Sequence, residues 1–309
     1  MTAGAQSGLD GLECNRMQSN AVECNRNIKA ILLDLDGTVY WGDSEVEGAG
    51  EFVRWCEGRG HRCLFVTNRA NRPPEVIRDQ LRGYGIPCET ADILTSGQAT
   101  ARILGGGSAY IIGEIGLEQA LREQGIRIVT DPEERPDAVV VSYDKEFNYT
   151  KLSIACRWIG EGVRFIVTNT DGRLRMHDRI LPGTGAIVAA VMAGSGGVPE
   201  IVGKPERRLF DIALEKVGCR PEEALVVGDF LDTDIGAANA AGIPSVLMLT
   251  GISRREDIHA NSPHPTYIAE TFAELTKILE NYSTLSLTAN HSSFTAHETP
   301  HRFPKHAQD

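Results

Sequence analysis

Short apolar runs alternate along the chain with longer stretches in which apolar and polar positions follow a helical period. The apolar runs predict strands near 28–35, 63–67, 109–112, 138–142, 165–168, 224–227 and 244–249. The amphipathic stretches predict helices around 46–59, 73–83, 97–104, 116–124, 149–160, 184–193, 206–217, 233–241 and 271–281. Alternation of this kind is typical of parallel strands joined by crossover helices. Because it supplies more elements than one small sheet needs, we expect two α/β domains.

The two ends of the chain lack this periodicity. Residues 1–26 are polar and aperiodic, and after Tyr282 the sequence turns to Ser, Thr, Asn, His and Pro. Segments of such composition cannot bury enough apolar surface to fold on their own. We therefore predict one flexible tail over 1–26 and a second over 283–309.

Composition and charge narrow the class of protein. The chain has 309 residues, 41% of them hydrophobic, so it can bury a substantial core. Its net charge of -11 disfavours nucleic acid or an anionic membrane as a partner. No window approaches roughly 18 apolar residues and the first residues lack the order of a signal peptide, which predicts a cytoplasmic protein. The seven cysteines form no CxxC pair, so we expect neither a zinc site nor a disulfide framework.

Two aspartates follow the first predicted strand. Asp34 and Asp36 come directly after the apolar run 28–33, and Gly37 and Thr38 then let the chain turn. A buried parallel strand delivers such side chains to the crevice at the carboxyl edge of its sheet, where ligands bind. One carboxylate could attack a substrate there while its neighbour moves protons. An Asp-Gly turn without a catalytic role would leave the same short pattern.

Other strand and loop ends repeat this arrangement. Thr67 and Asn68 end the second strand with a hydroxyl and an amide, both of which could hold phosphate oxygens. Lys204 lies between a glycine and a proline, where its charge could neutralise a phosphate and a carboxylate together. Asp229 follows a later strand directly and is the predicted metal ligand, and Asp234 comes shortly after it.

Together these residues predict a site for phosphoryl transfer. Such chemistry needs a nucleophile in line, a divalent cation on the non-bridging oxygens, and cationic or hydroxyl donors around the remaining charge. Four aspartates would form an all-oxygen environment that suits Mg²⁺. They are Asp34, Asp36, Asp229 and Asp234. Lys204 would offset the crowding of negative charge, and the expected cofactor is Mg²⁺.

Four motifs occur in a fixed order. They are DLDGT at 34–38, an apolar run into TN at 67–68, GKP at 203–205 and GDxxxTD at 228–234. This order resembles the haloacid-dehalogenase superfamily of phosphatases. A narrower similarity is to the branch that contains p-nitrophenyl-phosphatase-like, nucleotide, and phosphoglycolate or pyridoxal phosphate phosphatases. It rests on DLDGTVY at 34–40 with Gly42, TNTD at 168–171, LPGTG at 181–185 and VGKP at 202–205. The resemblance covers roughly 28 to 282, and four ordered motifs are far more specific than one.

The resemblance implies a role for each residue of these motifs. Asp34 would be the nucleophile that forms an aspartyl-phosphate, and Asp36 would be the general acid and base. Thr67 and Asn68 would bind phosphate, and Lys204 would bridge the phosphate and Asp34.

The metal site and the domains are implied in the same way. Mg²⁺ would be held by Asp34, the Asp36 carbonyl and Asp229, with Asp234 just outside the direct ligands. A Rossmann-like parallel-sheet core over 27–95 and 200–282 would carry an α/β cap domain inserted over 96–199. One departure is visible at Arg69, which follows Thr67-Asn68 where many relatives carry a second asparagine. This departure leaves undecided which groups of the loop contact the phosphate.

The sequence therefore predicts a Mg²⁺-dependent phosphomonoesterase for small metabolites such as sugar phosphates, mononucleotides or phosphoglycolate. A dehalogenase is disfavoured, because a halide leaves without a proton donor and Asp36 would then be unnecessary. A catalytically idle binding or regulatory protein and a phosphomutase or phosphotransferase remain alternatives, because fold alone does not determine function.

The segment 168–182 is the expected specificity element. It is predicted as a loop in which Arg173 and Arg175 grip the part of the substrate beyond its phosphate, and a solvated basic loop is the alternative. The expected partner is a small phosphorylated substrate, and a homodimer would form through the cap domain.

Overall fold

The computed structural model describes residues 28–176 and 179–291. Its strands are β1 (Ala30–Leu33), β2 (Tyr40–Trp41), β3 (Ser44–Glu45), β4 (Arg62–Thr67), β5 (Ile93–Thr95), β6 (Ser108–Ile112), β7 (Arg127–Ile128), β8 (Ala138–Val141), β9 (Arg164–Val167), β10 (Arg173–Met176), β11 (Arg179–Pro182), β12 (Glu200–Ile201), β13 (Ala224–Gly228), β14 (Ser245–Met248) and β15 (Tyr267–Ala269). Its helices are α1 (Ala49–Gly58), α2 (Pro74–Gly83), α3 (Ser96–Leu104), α4 (Ile115–Glu123), α5 (Tyr149–Gly160), α6 (Thr184–Ser195), α7 (Arg208–Val217), α8 (Gly236–Ala241) and α9 (Phe272–His291). Each strand and helix expected from the periodicity is present. Apart from the hairpin strands β10 and β11, the additional strands have two or three residues and are too short to produce a recognisable pattern in the sequence.

The first sheet has six parallel strands in the order β15-β14-β13-β1-β4-β5. β1 lies inside the sheet, where Leu33 is opposite Val227 of β13 on one side and Phe65 of β4 on the other. Because the strands run in the same direction, their carboxyl ends meet along one edge. The polar residues that follow β1, β4 and β13 are therefore neighbours.

The second sheet is formed by residues inserted between β5 and β13. It has five parallel strands in the order β12-β9-β8-β6-β7. The predicted fold class, a Rossmann-like α/β core with a second inserted α/β domain, is confirmed. β12 lies in the segment predicted for the core, but it pairs with β9. The inserted sheet therefore extends to Ile201, past the predicted boundary at 199.

Alternate side chains of β1 face two different apolar clusters. Leu33 belongs to a cluster with residues of α1, α2 and α9. Leu32 belongs to a cluster on the opposite face that also contains Leu209 of α7 and Val140 of β8. Full burial of side chains of this size stabilises a fold by about 1.5–3 kcal/mol each. The second cluster reaches from one sheet to the other, so it holds the inserted domain against the core.

The structure corrects the description of the segment 168–182, which was predicted as a basic loop. It contains the antiparallel hairpin of β10 and β11, in which Arg173 is opposite Pro182. Charged and apolar residues alternate over 173–176, which is the period of a strand. The density of arginines obscured that period.

The structure also changes the end of the chain. Helix α9 continues to His291, so the segment 283–309 that was predicted as a flexible tail begins with helix. Leu285 and Leu287 are good helix formers among the serines and threonines of this stretch. Residues 1–27 and 292–309, which include the predicted N-terminal tail, lie outside the described residues. None of the described helices is long and apolar enough to cross a membrane.

Candidate active site

Polar side chains from several strand ends meet at the carboxyl edge of the first sheet. Asp34 follows β1, Thr67 ends β4 and Asp229 follows β13, while Lys204 enters from the loop after β12. They line one cavity of about 690 Å³, to which both domains contribute residues. The structure brings together every site residue predicted for the core. These are Asp34, Asp36, Thr67, Asn68, Lys204, Asp229 and Asp234.

The Lys204 ammonium lies buried between two carboxylates. Its Nζ is 2.5 Å from Asp34 Oδ1 and 2.6 Å from Asp234 Oδ1, and it donates a third hydrogen bond to the Val66 carbonyl at 3.2 Å. Burial alone would lower the pKa of this lysine, but the Asp234 and Asp34 carboxylates outweigh burial and raise it. Lys204 therefore carries its charge inside the protein. The sequence predicted its contact with Asp34 but not its contact with Asp234.

Three carboxylates crowd this ammonium. Oxygens of Asp34, Asp229 and Asp234 lie within 4.8 Å of one another. Burial, and after it the charge of Asp234, raises the pKa of Asp34 well above its usual range. The same two causes raise the pKa of Asp229 to about 7. One lysine cannot neutralise three acids, so the cluster favours a further positive charge.

The chain is shaped around the Asp229 carboxylate. Thr38 Oγ1 donates to Asp229 Oδ1 at 3.3 Å, and the Ile252 N–H donates to Oδ2 at 2.7 Å. Gly37 has a left-handed backbone with φ of 85°, and a Cβ there would stand 2.3 Å from Asp229 Oδ2. Only glycine meets both conditions, which explains why it occupies the turn after Asp36.

The donor set fits a hard divalent cation. The three acids of the cluster offer carboxylate oxygens, which are the ligands that Mg²⁺ prefers, and they are close enough to share one ion. Their mutual repulsion contributes to the raised pKa values, and a bound cation would relieve it. Asp234 meets the same distance condition as Asp34 and Asp229, and both Asp234 and Asp34 contact the Lys204 ammonium.

The Asn68 amide, which was expected to bind phosphate, instead hydrogen-bonds protein groups. Its Nδ2 donates to the Lys204 carbonyl at 3.0 Å, and its Oδ1 accepts from the Lys204 N–H at 2.8 Å. Nδ2 also donates to Asp171 of the inserted domain at 3.0 Å. These protein groups engage the amide that was expected to hold phosphate oxygens. The neighbouring Thr67 hydroxyl accepts a hydrogen bond from the Arg69 N–H at 3.1 Å.

Arg69 is a residue of this site to which the sequence assigned no role. Its Nη2 lies 2.6 Å from Asp36 Oδ1, and its guanidinium carbon lies 5.8 Å from the centre of the Tyr40 ring. The signal that could have found it was the departure from the second asparagine of many relatives. A long cationic side chain at that position reaches a carboxylate that asparagine would not reach.

The inserted domain forms the opposite wall of the cavity. Asp171 ends the TNTD motif after β9, and its burial raises its pKa although the Asn68 hydrogen bond acts in the other direction. Its position after a strand, like that of Asp34 after β1, was the signal that could have assigned it a role. Arg173 of β10 lines the same cavity. The side chain of Arg175 lies outside the described part of the chain.

Comparison with known families agrees with this geometry. A model of haloacid dehalogenase-like hydrolases matches residues 31–127, and a second model, of HAD-like hydrolases, matches residues 201–275. The first match contains the strand ends at Asp34 and Thr67, and the second contains Lys204 and Asp229. The chain belongs to the haloacid-dehalogenase superfamily of hydrolases, as the order of its motifs predicted.

Several similar proteins within this superfamily are phosphatases. The acid sugar phosphatase of Staphylococcus aureus is 37% identical over 260 residues, which are 82% of this chain and 100% of that protein. The glycerol phosphate phosphatase of Mycobacterium tuberculosis, solved in complex with magnesium, is 34% identical, with a TM-score of 0.76 over 81% of this chain and 77% of that chain. The p-nitrophenyl phosphatase of Archaeoglobus fulgidus is 29% identical, with a TM-score of 0.76 over 82% of this chain and 99% of that chain. The chain is therefore a phosphatase that acts on small phosphorylated substrates.

Proposed function

We propose that this phosphatase is a Mg²⁺-dependent phosphomonoesterase that works through an aspartyl-phosphate on Asp34. The proposal depends chiefly on the Asp34 carboxylate, which is held 2.5 Å from the Lys204 ammonium at the edge of the sheet. A carboxylate can attack phosphorus when fixed positive groups neutralise the charge that the phosphate oxygens carry. The cluster around Asp34 supplies both the fixed lysine and the oxygens that would bind a cation.

Each bond change can be assigned to a side chain. An oxygen of Asp34 attacks the phosphorus, and the ester P–O bond breaks with its electron pair on the alcohol oxygen, which Asp36 protonates. Asp36 is then a carboxylate and takes a proton from water, whose oxygen attacks the phosphorus. The P–O bond to Asp34 breaks with its electron pair on the Asp34 carboxylate, inorganic phosphate leaves, and Asp36 keeps the proton for the next cycle. General acid–base help of this kind typically contributes about 10²–10⁴-fold to the rate.

The remaining groups bind the phosphate. Asp34, Asp229 and the Asp36 carbonyl would hold Mg²⁺, which neutralises charge on the non-bridging oxygens when it is bound. Lys204 and the Thr67 hydroxyl would contact other phosphate oxygens. We assign Asn68 to the positioning of Lys204, because its amide holds the N–H and the carbonyl of that lysine together.

The inserted domain would act as a cap that contacts the rest of the substrate. Three polar side chains of this domain line the cavity near the core site, and they suit the hydroxyl groups of a small phosphate ester. They are Asp171, Arg173 and Thr184. Two of the similar proteins are named for sugar phosphate and glycerol phosphate, which carry such hydroxyls. We therefore infer a small hydroxylated phosphate ester as the substrate, with Arg173 and Arg175 as specificity residues.

The test is hydrolysis of p-nitrophenyl phosphate and glycerol phosphate with Mg²⁺, with EDTA, and by Asp34→Asn. EDTA should abolish turnover, and Mg²⁺ should restore it. Asp34→Asn should be inactive with a normal circular dichroism spectrum, because the amide replaces the attacking oxygen at nearly constant volume. Asp232→Asn is the matched control, since Asp232 is an exposed neighbour of the site. Turnover by Asp34→Asn at the rate of Asp232→Asn would refute the mechanism.

A further inference from the structure

Asp36, the general acid and base of the proposed mechanism, accepts a side-chain hydrogen bond from one described residue, Arg69. Asp36 is 42% exposed at its side chain, and among the described residues Arg69 is the one side chain that hydrogen-bonds its carboxylate. An aspartate with so much freedom can occupy several staggered rotamers about its Cα–Cβ bond. In most of them its carboxyl group would not point at the leaving oxygen. The Arg69 contact at 2.6 Å selects one of these rotamers.

Arg69 is itself fixed in three ways. Its side chain is 20% exposed, and its guanidinium lies over the ring of Tyr40, which is 1% exposed. Its backbone N–H donates to Thr67 Oγ1 at 3.1 Å. The loop on either side is anchored, because Asn68 bonds Lys204 and Asn71 Nδ2 donates to Glu114 Oε2 at 3.2 Å. Because both the guanidinium plane and the backbone of Arg69 are held, its side chain can fix the orientation of the Asp36 carboxylate.

The arrangement carries a cost that a surface ion pair would not. Nε of Arg69 is buried without a hydrogen-bond partner among the described residues. An unpaired buried donor destabilises the fold, because it has lost its hydrogen bonds to water without a replacement. An arginine in an ordinary exposed ion pair would turn this group to water and lose little, since such pairs contribute little to stability. The cost is understandable if the orientation of the Asp36 carboxylate has a function.

We propose that Arg69 is a positioning residue that acts through Asp36, holding its carboxyl group in the rotamer that protonates the leaving oxygen. The inference rests on the proposed function, because it needs Asp36 to be the proton donor. It assigns a role to the position after Thr67-Asn68, where the sequence departs from the second asparagine of many relatives. It also separates Arg69 from Lys204 and Thr67, since Arg69 would act on the leaving group and they would act on the phosphate.

The experiment compares two substrates that differ in their need for a proton. Glycerol phosphate has an alkoxide leaving group that needs protonation, whereas p-nitrophenolate leaves readily without it. The value of kcat/KM covers the steps up to departure of the leaving group. Arg69→Ala should lower kcat/KM for both substrates unequally. The loss for glycerol phosphate should exceed the loss for p-nitrophenyl phosphate by a factor of about ten or more, which is the scale expected when a catalytic group is misplaced. Arg69→Lys should recover part of this loss, because an ammonium still donates to Asp36.

The matched control is Arg102→Ala, which breaks an exposed ion pair with Glu215 away from the cavity. It should leave the ratio of the two kcat/KM values unchanged. A double-mutant cycle with Asp36→Asn then tests whether Arg69 acts through Asp36. The substrate is phenyl phosphate, whose leaving group needs a proton less than an alkoxide does but more than p-nitrophenolate does. Arg69→Ala should slow its hydrolysis in the wild-type background but have no further effect in the Asp36→Asn background. Thermal unfolding of every variant checks that the fold is retained.

Three results would overturn the role of Arg69. They are an equal loss for both substrates, a loss that persists in the Asp36→Asn background, and a rise in KM alone. The last two would mean that Arg69 contacts the substrate itself. A wild-type protein that hydrolyses neither substrate would instead refute the proposed function. An active wild type whose substrate ratio does not change in Arg69→Ala and Arg69→Lys would refute only this inference.

Discussion

Removal of the Lys204 charge should destabilise the protein more than any ordinary lysine substitution. The Lys204 side chain is 3% exposed, and its ammonium lies within 2.6 Å of oxygens of both Asp34 and Asp234. Lys204→Met keeps an unbranched apolar stem but leaves two carboxylates buried without their cation. Breaking a buried pair in this way typically costs about 3–5 kcal/mol. For a protein of this size we expect a fall in Tm of about 10 °C.

The loss should depend on pH in a defined direction. The pKa of Lys204 is raised, so in the wild type its stabilising charge is present throughout the neutral and mildly acidic range. The pKa of Asp34 is raised by burial, and a group whose pKa is raised on folding contributes stability at low pH that is lost as the pH rises. Near pH 5.5 the Asp34 carboxyl group of the variant can take up a proton at little cost, because burial raises its pKa. We therefore expect a larger loss at about pH 8 than at about pH 5.5.

The assay is thermal unfolding in EDTA at both pH values, with two comparison variants. Lys216→Met makes the same change at a half-buried lysine that donates to the Ile93 carbonyl, so it should cost about 1 kcal/mol. Lys204→Met/Asp234→Asn removes one of the stranded charges and should recover part of the loss. Equal losses for Lys204→Met and Lys216→Met, without a pH dependence, would show that Lys204 does not neutralise these carboxylates.

Two further predictions concern metal and substrate. Asp229→Ala should raise the Mg²⁺ concentration for half-maximal activity at least about tenfold, because it removes a carboxylate ligand; an unchanged Mg²⁺ titration would mean that Asp229 is not a ligand. Arg173→Ala should raise KM about tenfold for glycerol phosphate and much less for p-nitrophenyl phosphate, which has no hydroxyl groups for Arg173 to bind. A parallel response of the two substrates would place specificity elsewhere in the inserted domain.

The fold and the centre of the site could be predicted because both depend on short-range features of the sequence. Apolar runs identified the strands, and in a parallel sheet the residue after a strand necessarily lies at the ligand-binding edge. Asp34 and Asp229 follow their strands directly, so their proximity needed no knowledge of side-chain conformation. Their separation in sequence did not matter, because β1 and β13 are neighbours in the sheet.

The partners of each side chain could not be predicted in the same way. Lys204 was expected to meet Asp34, but its second contact with Asp234 depends on how the turn 231–235 is wound. Asn68 could have pointed its amide at a phosphate or at the protein. The structure shows the second outcome, because a backbone N–H and a carbonyl of Lys204 both lie within reach. Choices of this kind are settled by competition among neighbours, which leaves no periodic trace in the sequence.

The loop after β4 shows most clearly why the remaining contacts needed the structure. Asn68 reaches Asp171 of the inserted domain, and the Gly116 N–H at the start of α4 donates to the Asn71 carbonyl at 3.3 Å. A Cβ on Gly116 would lie 2.5 Å from the backbone of Arg72, so this approach requires glycine. The loop that would bind phosphate is therefore also a junction between the domains. A shift of the inserted domain would pull on the loop and, through Asn68, on the backbone of Lys204 in the active site.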